Sequence, residues 1–211
     1  MNFIRADYDY IERGLERKDL DADPMNQFEV WLDQAIELEL IESNAMSLAT
    51  VSKSGTPSIR SVLLKSYDKD GFLFFANTQS KKVEDIKHNA QVALHFAWLG
   101  LERQVKIEGQ AKQLSSSALF KTILTRPKGI HQGEWIPNQN SSVSFRSLYE
   151  TQFDAMKSKF LSGQIPFPNL WYAYRVKPLV MEFWQGGKDR LHDRFEYRLL
   201  EGSWKIERLS S

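Results

Sequence analysis

The chain has 211 residues, with 28 Lys and Arg against 27 Asp and Glu, a formal net charge of +1. Domains run to roughly 150 residues, so this length is one large domain, or one domain with an appendage. Its 42% hydrophobic and 26% charged content is ordinary for a globular chain that needs no staples. Near-neutral charge excludes a nucleic-acid binder working by bulk charge. The lack of any cysteine excludes a disulfide scaffold, a thiolate metal site and a cysteine nucleophile. The N-terminus turns acidic at Asp7 before an apolar run can build, and no apolar stretch approaches membrane-spanning length, so the expectation is a soluble, cytoplasmic protein. Six Trp, seven Tyr and 13 Phe supply rings that pack cores or wall flat ligands.

Residues 1–22, charged and tyrosine-containing, read as an extended arm; residues 23–211 read as a single domain. Asp23-Pro24 has the form of an N-cap with proline at the first helical position. Phe28, Trp31, Leu32, Ala35, Ile36 and Leu40 follow at helical spacing, which predicts a helix over 25–40. The period then changes. Strands are predicted over Met46–Val51, Ile59–Tyr67 and Phe72–Ala76, with a turn at Asp68-Lys69-Asp70-Gly71. Ser80 can cap a short helix through Lys87. Val92–Trp98 and Glu102–Leu114 are further strands. The second places Val105, Ile107 and Ala111 on one face, with Lys106, Glu108 and Gln110 on the other.

Ser115 can open a helix to Thr125, stopped by Pro127. Residues 127–143 are a long loop, of a length usually tied to function or motion. Phe145–Leu161 reads as a helix closed by Gly163, and Ile165-Pro166-Phe167-Pro168 as a stiff connector. Strands over Trp171–Val176, Val180–Gln185, Arg194–Leu200 and Trp204–Leu209 complete the chain, the last two joined by Glu201-Gly202. Consecutive strands with short turns argue for an antiparallel sheet or barrel flanked by helices, a mainly β, α+β protein. Neither common glycine-rich nucleotide loop occurs.

Three clusters can carry chemistry. Arg60-Ser61-Val62-Leu63-Leu64-Lys65 places cations at both ends of an apolar strand, which suits an anion at a barrel rim or two side chains reaching solvent. Ser80-Lys81-Lys82 opens a helix, where an anion is favoured; the alternative is a solvated basic turn. Trp184-Gln185-Gly186-Gly187 leads into Arg190-Leu191-His192-Asp193-Arg194, with His192 either a surface residue or part of a site. The remaining histidines, His88, His95 and His131, show no ligand-like spacing, so no metal site is expected. No Gly-x-Ser-x-Gly elbow is present.

These clusters, with Asp19-Leu20…Asp23-Pro24, Leu101-Glu102-Arg103-Gln104-Val105, Arg126-Pro127, Gly133-x-Trp135, Glu182-Phe183-Trp184-Gln185-Gly186-Gly187 and Trp204-Lys205-Ile206, carry a resemblance. From about residue 5 to the end, the sequence resembles the pyridoxine/pyridoxamine 5′-phosphate oxidases. The resemblance implies an FMN-binding split β-barrel of antiparallel Greek-key type. It further implies a homodimer with FMN at the subunit interface, with residues 165–211 contributing to dimer and active site. The implied reaction oxidises pyridoxine or pyridoxamine 5′-phosphate to pyridoxal 5′-phosphate, with O2 as acceptor and H2O2 released.

By the same resemblance Arg60, Lys81 and Lys82 match cations on the FMN phosphate, Lys81 standing where arginine is usual. Ser61, the Val62, Leu63 and Leu64 backbone, Phe75, Ala76, Gln104, Gln139, Asn140, Trp184 and Arg194 match other flavin contacts. Lys65, which also matches a flavin contact, and Arg126 match ligands of the substrate phosphate. Arg190 and His192, flanking Leu191, match the residues over the substrate ring. Tyr10, or Arg5 with Tyr8, matches an N-terminal lid. Three further positions depart from the family pattern. Thr122 replaces a tyrosine and Ile130 a serine at the substrate phosphate, and Asn140 replaces a serine. The first two favour an alternative: a related split-barrel flavin oxidase acting on another flat ring, such as a phenazine precursor. A non-catalytic FMN- or pyridoxal-phosphate-binding protein is the other alternative, against which Arg190 and His192 speak.

Overall fold

A computed structural model describes residues 14–115, 171–187 and 191–210. The sequence-predicted helices over 115–125 and 145–161, the loop 127–143 and the connector 165–168 lie outside them. Helix α1 spans Pro24–Glu37. The Asp23 carboxylate accepts the Met25 N–H at 2.9 Å, so the cap forms as the sequence predicts. The helix ends three residues earlier than expected: Leu38 is the C-cap, and Glu39 turns left-handed with φ of 51°. Phe28, Trp31, Leu32 and Ala35 are buried, whereas Ile36 faces outward.

The strands are β1 (Ala45–Val51), β2 (Pro57–Leu63), β3 (Ser66–Asp68), β4 (Gly71–Asn77), β5 (Gln91–Trp98), β6 (Arg103–Gln113), β7 (Trp171–Gln185), β8 (Asp193–Leu200) and β9 (Ser203–Leu209). Helix α2 (Lys81–His88) lies between β4 and β5. The strand order is β2-β1-β5-β6-β7-β4-β3, with β8 pairing β7 and β9. Every pairing is antiparallel. The chain closes this path on itself where β2 passes into β3. There the Leu64 N–H bonds the Asn44 carbonyl at 2.9 Å and the Lys65 N–H bonds the Leu73 carbonyl at 2.8 Å. The predicted strand over 59–67 is therefore two strands, broken at this corner.

The barrel splits along β7. Its first half, through Val176, pairs with β4, and its second half, from Val180, pairs with β8. β6 runs beside both halves, so the two strands expected over 171–176 and 180–185 are one. Pro178, which has no N–H to give a ladder, sits at the change of partner, opposite a register shift between Glu108 and Gly109. A Cβ at Gly109 would lie 2.2 Å from the Lys177 carbonyl oxygen, so only glycine lets the strands pass here.

Aromatic rings fill the barrel. Phe28 of α1 meets Phe96 at 4.9 Å, Phe72 at 5.0 Å and Tyr67 at 5.2 Å between ring centroids. Trp31 carries the packing to Phe183 and Phe183 to Tyr197, at 5.2 and 5.3 Å, which ties α1 to the outer strand β8. Leu15 and Leu20, in the segment leading to α1, are buried in the same core. The Tyr197 hydroxyl donates to the Asp21 carbonyl at 2.8 Å, which holds that segment against β8.

Candidate functional site

The first two sequence clusters meet. Arg60 of β2 pairs across from Leu48 of β1, and Ser58 across from Thr50, so these side chains share the face that receives α2. The Arg60 guanidinium donates to the Leu48 carbonyl at 3.2 Å, to the Thr50 hydroxyl at 2.7 Å and to the Ser58 hydroxyl at 2.8 Å. Lys81, the first residue of α2, donates to both Asp85 oxygens at 2.9 and 3.0 Å. Asp85 is 3% exposed. It also accepts from the Thr50 hydroxyl at 2.7 Å and lies 3.9 Å from Arg60. Lys82 is half-buried and has no carboxylate partner among the described residues. Burial, then the charge of Arg60, lowers its pKa. Burial likewise lowers that of Arg60, with Asp85 acting against it. Ser80 holds the N-cap position, but its hydroxyl donates to the Asn77 carbonyl instead of capping α2. An open cleft of about 420 Å3 runs alongside, lined by Ser52, Lys53, Ser54, Lys81, Glu84, Asp85 and His88.

The remaining residues of the Arg60–Lys65 stretch run from the end of β2 into the corner before β3. Ser61 is exposed, Val62, Leu63 and Lys65 are half-buried, and Leu64 is buried. On β4, Phe75 and the buried Ala76 pair with Ala173 and Tyr172 of β7.

A second cluster lies beyond the split. Gln104 of β6 pairs across from Trp184 of β7, and Trp184 across from Arg194 of β8. The Gln104 side-chain carbonyl lies 3.0 Å from His95 Nε2 and accepts its hydrogen. His192 packs on Trp184, 4.7 Å between ring centroids. The Gly187 N–H approaches His192 Nδ1 at 3.3 Å. An N–H can only donate, so Nδ1 is the acceptor, and the neutral ring carries its proton on Nε2. Gly187 is required here, since a Cβ would lie 2.0 Å from the Leu191 carbonyl oxygen. Leu191 is 71% exposed.

Arg194 Nε donates to Glu182 Oε1 at 2.7 Å, and Lys106 Nζ lies 2.8 Å from Glu182 Oε2. Burial pushes the 6%-exposed Glu182 carboxyl up, but the hydrogen bonds and charges of Arg194 and Lys106 outweigh this and hold it below the usual range. Thr50, Ser58, Asp85 and Lys106 did not stand out as site residues in the sequence, and Glu182 stood out only as part of a motif. Tyr10, Thr122, Arg126, Ile130, Gln139, Asn140 and Arg190 lie outside the described residues. Among the described residues no set of three His, Asp or Glu side chains is placed to hold a metal, and no helix is long and apolar enough to cross a membrane.

This is the split-barrel oxidase fold. A solved structure of PhzG from Burkholderia lata 383, in complex with tetrahydrophenazine-1-carboxylic acid, shares it. The TM-score is 0.72 at 27% identity, covering 93% of this chain and 98% of that one. Residues 32–160 match the family described as pyridoxamine 5′-phosphate oxidase. Residues 171–211 match the pyridoxine 5′-phosphate oxidase C-terminal dimerisation region. A pyridoxine/pyridoxamine 5′-phosphate oxidase of Aliarcobacter butzleri (strain RM4018) is 53% identical over 202 residues, 95% of each chain. One of Rippkaea orientalis (strain PCC 8801 / RF-1) is 50% identical over 203 residues, 96% of each. The chain belongs to the pyridoxine/pyridoxamine 5′-phosphate oxidase family, and is an oxidoreductase of that family.

Proposed function

We propose that the chain is an FMN-dependent oxidase that converts pyridoxine and pyridoxamine 5′-phosphates to pyridoxal 5′-phosphate, working as a homodimer. The observation that carries the cofactor assignment is the cluster in which Arg60 and Lys81 meet one buried carboxylate, with Lys82 close to Arg60. Three cations less one anion leave two positive charges, a match for a phosphate monoester carrying about 1.5 to 2 negative charges at neutral pH. FMN would supply the redox chemistry, a two-electron oxidation of the substrate's C4′ with O2 reduced to H2O2; with the amine substrate, water would complete the aldehyde and ammonia would leave.

The chain's own residues bind and orient. Arg60, Lys81 and Lys82 neutralise the cofactor phosphate, with Ser61 and the Val62–Leu64 backbone beside it. Phe75, Ala76, Gln104, Gln139, Asn140, Trp184 and Arg194 hold the flavin. Lys65, Thr122 and Arg126 receive the substrate phosphate. His192 presents its Nε2–H, and Arg190 its charge, to the substrate ring, with Leu191 between them and Tyr10 in a covering arm. The match of residues 171–211 to a C-terminal dimerisation region supports a site shared between two copies, one giving the phosphate cluster and the other the Trp184–Arg194 cluster.

The test is colour and turnover. Purified protein should be yellow, release FMN on denaturation and form peroxide with either substrate. Arg190→Ala with His192→Ala should abolish turnover and keep the flavin. Flavin-bound protein inactive at millimolar substrate contradicts the substrate assignment, and unchanged turnover in the double variant removes both residues from the reaction.

A further inference from the structure

We infer that Asp85, which touches neither ring nor phosphate in the reading above, is the residue that positions the cofactor-phosphate cations; the inference rests on that reading. The Asp85 carboxylate only accepts hydrogen bonds, so the 2.7 Å contact with Thr50 requires the Thr50 hydroxyl to donate. The Thr50 lone pair then receives Arg60 at 2.7 Å. This gives an ordered chain, Arg60 to Thr50 to Asp85, with every hydrogen assigned.

Lys81 reaches the same carboxylate by a separate route along α2, i to i+4. One buried anion therefore ends both donor chains, from β2 and from the helix start. Lys82 adds a cation that Asp85 does not bind, adjacent to Arg60 in charge and half-buried. Without the carboxylate, three cations would crowd together with no anchor before the phosphate arrives. With it, Arg60 and Lys81 are fixed in advance, and their ordering is not charged to cofactor binding. An asparagine at 85 would keep the shape but turn one acceptor into an NH2 donor. That donor would face either the Lys81 ammonium or the Thr50 hydroxyl, and the pattern would fail.

The experiment compares FMN with riboflavin, which has the same ring and no phosphate, on flavin-stripped full-length protein by fluorescence quenching. Asp85→Asn should weaken FMN binding by about tenfold, the value of one lost charge-assisted hydrogen bond, and leave riboflavin binding unchanged. Thr50→Val keeps the Asp85–Lys81 pair, cuts the link to Arg60 and should weaken FMN selectively as well. Thr50→Ser, which keeps the hydroxyl, should bind as wild type. If Asp85→Asn does not fold, Thr50→Val carries the test. FMN binding unchanged or tightened in Asp85→Asn and Thr50→Val, or equal losses for FMN and riboflavin, would overturn the role given to Asp85. A wild-type chain that binds FMN no better than riboflavin overturns the phosphate reading itself.

Discussion

Glu182 shows how one side chain can serve several strands. It takes hydrogen bonds from Arg194 on β8 and Lys106 on β6, and so ties β6, β7 and β8 beside Trp184. Its folded pKa lies below the ordinary value, so its contribution to stability is complete above about pH 4.3, the unfolded glutamate value, and is lost as pH falls through the folded value. Glu182→Gln should cost about 1–2 kcal/mol at pH 7, held down by the partial exposure of both cations. The gap from wild type in urea midpoint should narrow as pH drops below 4; a pH-independent gap would remove ionisation from the explanation. Arg60, Lys81 and Lys82 stand out in the sequence as cations on a strand and at a helix start, and the structure brings them together. Asp85 was not. On sequence it is an ordinary i,i+4 partner of Lys81 on a short helix, and only the docking of α2 on β1 buries it.

At the scale of elements, period and punctuation carried most of the fold. The Asp23-Pro24 start of α1, the turn before β4 and the alternation along β6 are local, and all three stand in the structure. Two errors in the strands have one cause, tertiary pairing. Lys177-Pro178-Leu179 looks like a break between strands, yet β6 runs past it and keeps β7 continuous. Ile59–Tyr67 looks continuous, yet barrel closure breaks it at Leu64-Lys65. The joint at Gly109 should therefore be intolerant. Gly109→Ala should lower stability by about 2–3 kcal/mol, because its Cβ meets backbone that cannot move aside. Phe28→Ala, which removes the ring at the centre of the barrel, should cost about 3–5 kcal/mol. Urea denaturation measures both, and a loss below about 1 kcal/mol for Gly109→Ala would mean the strands can separate there.

For the whole molecule, the near-zero charge total conceals an arrangement. Among the described residues cations gather on two clusters, one on β2 and α2, the other on β6 and β8 around Glu182. The proposed shared site predicts a dimer in sedimentation, with one flavin per chain, and flavin loss on dilution to monomer; a monomer that keeps its flavin would contradict it. The central claim, that this chain oxidises a B6 phosphate by its flavin, is tested most directly without oxygen. Mixing flavin-loaded protein with pyridoxamine 5′-phosphate anaerobically should bleach the yellow flavin band within one turnover and yield one equivalent of pyridoxal 5′-phosphate per flavin. A band that stays oxidised at saturating substrate would contradict it.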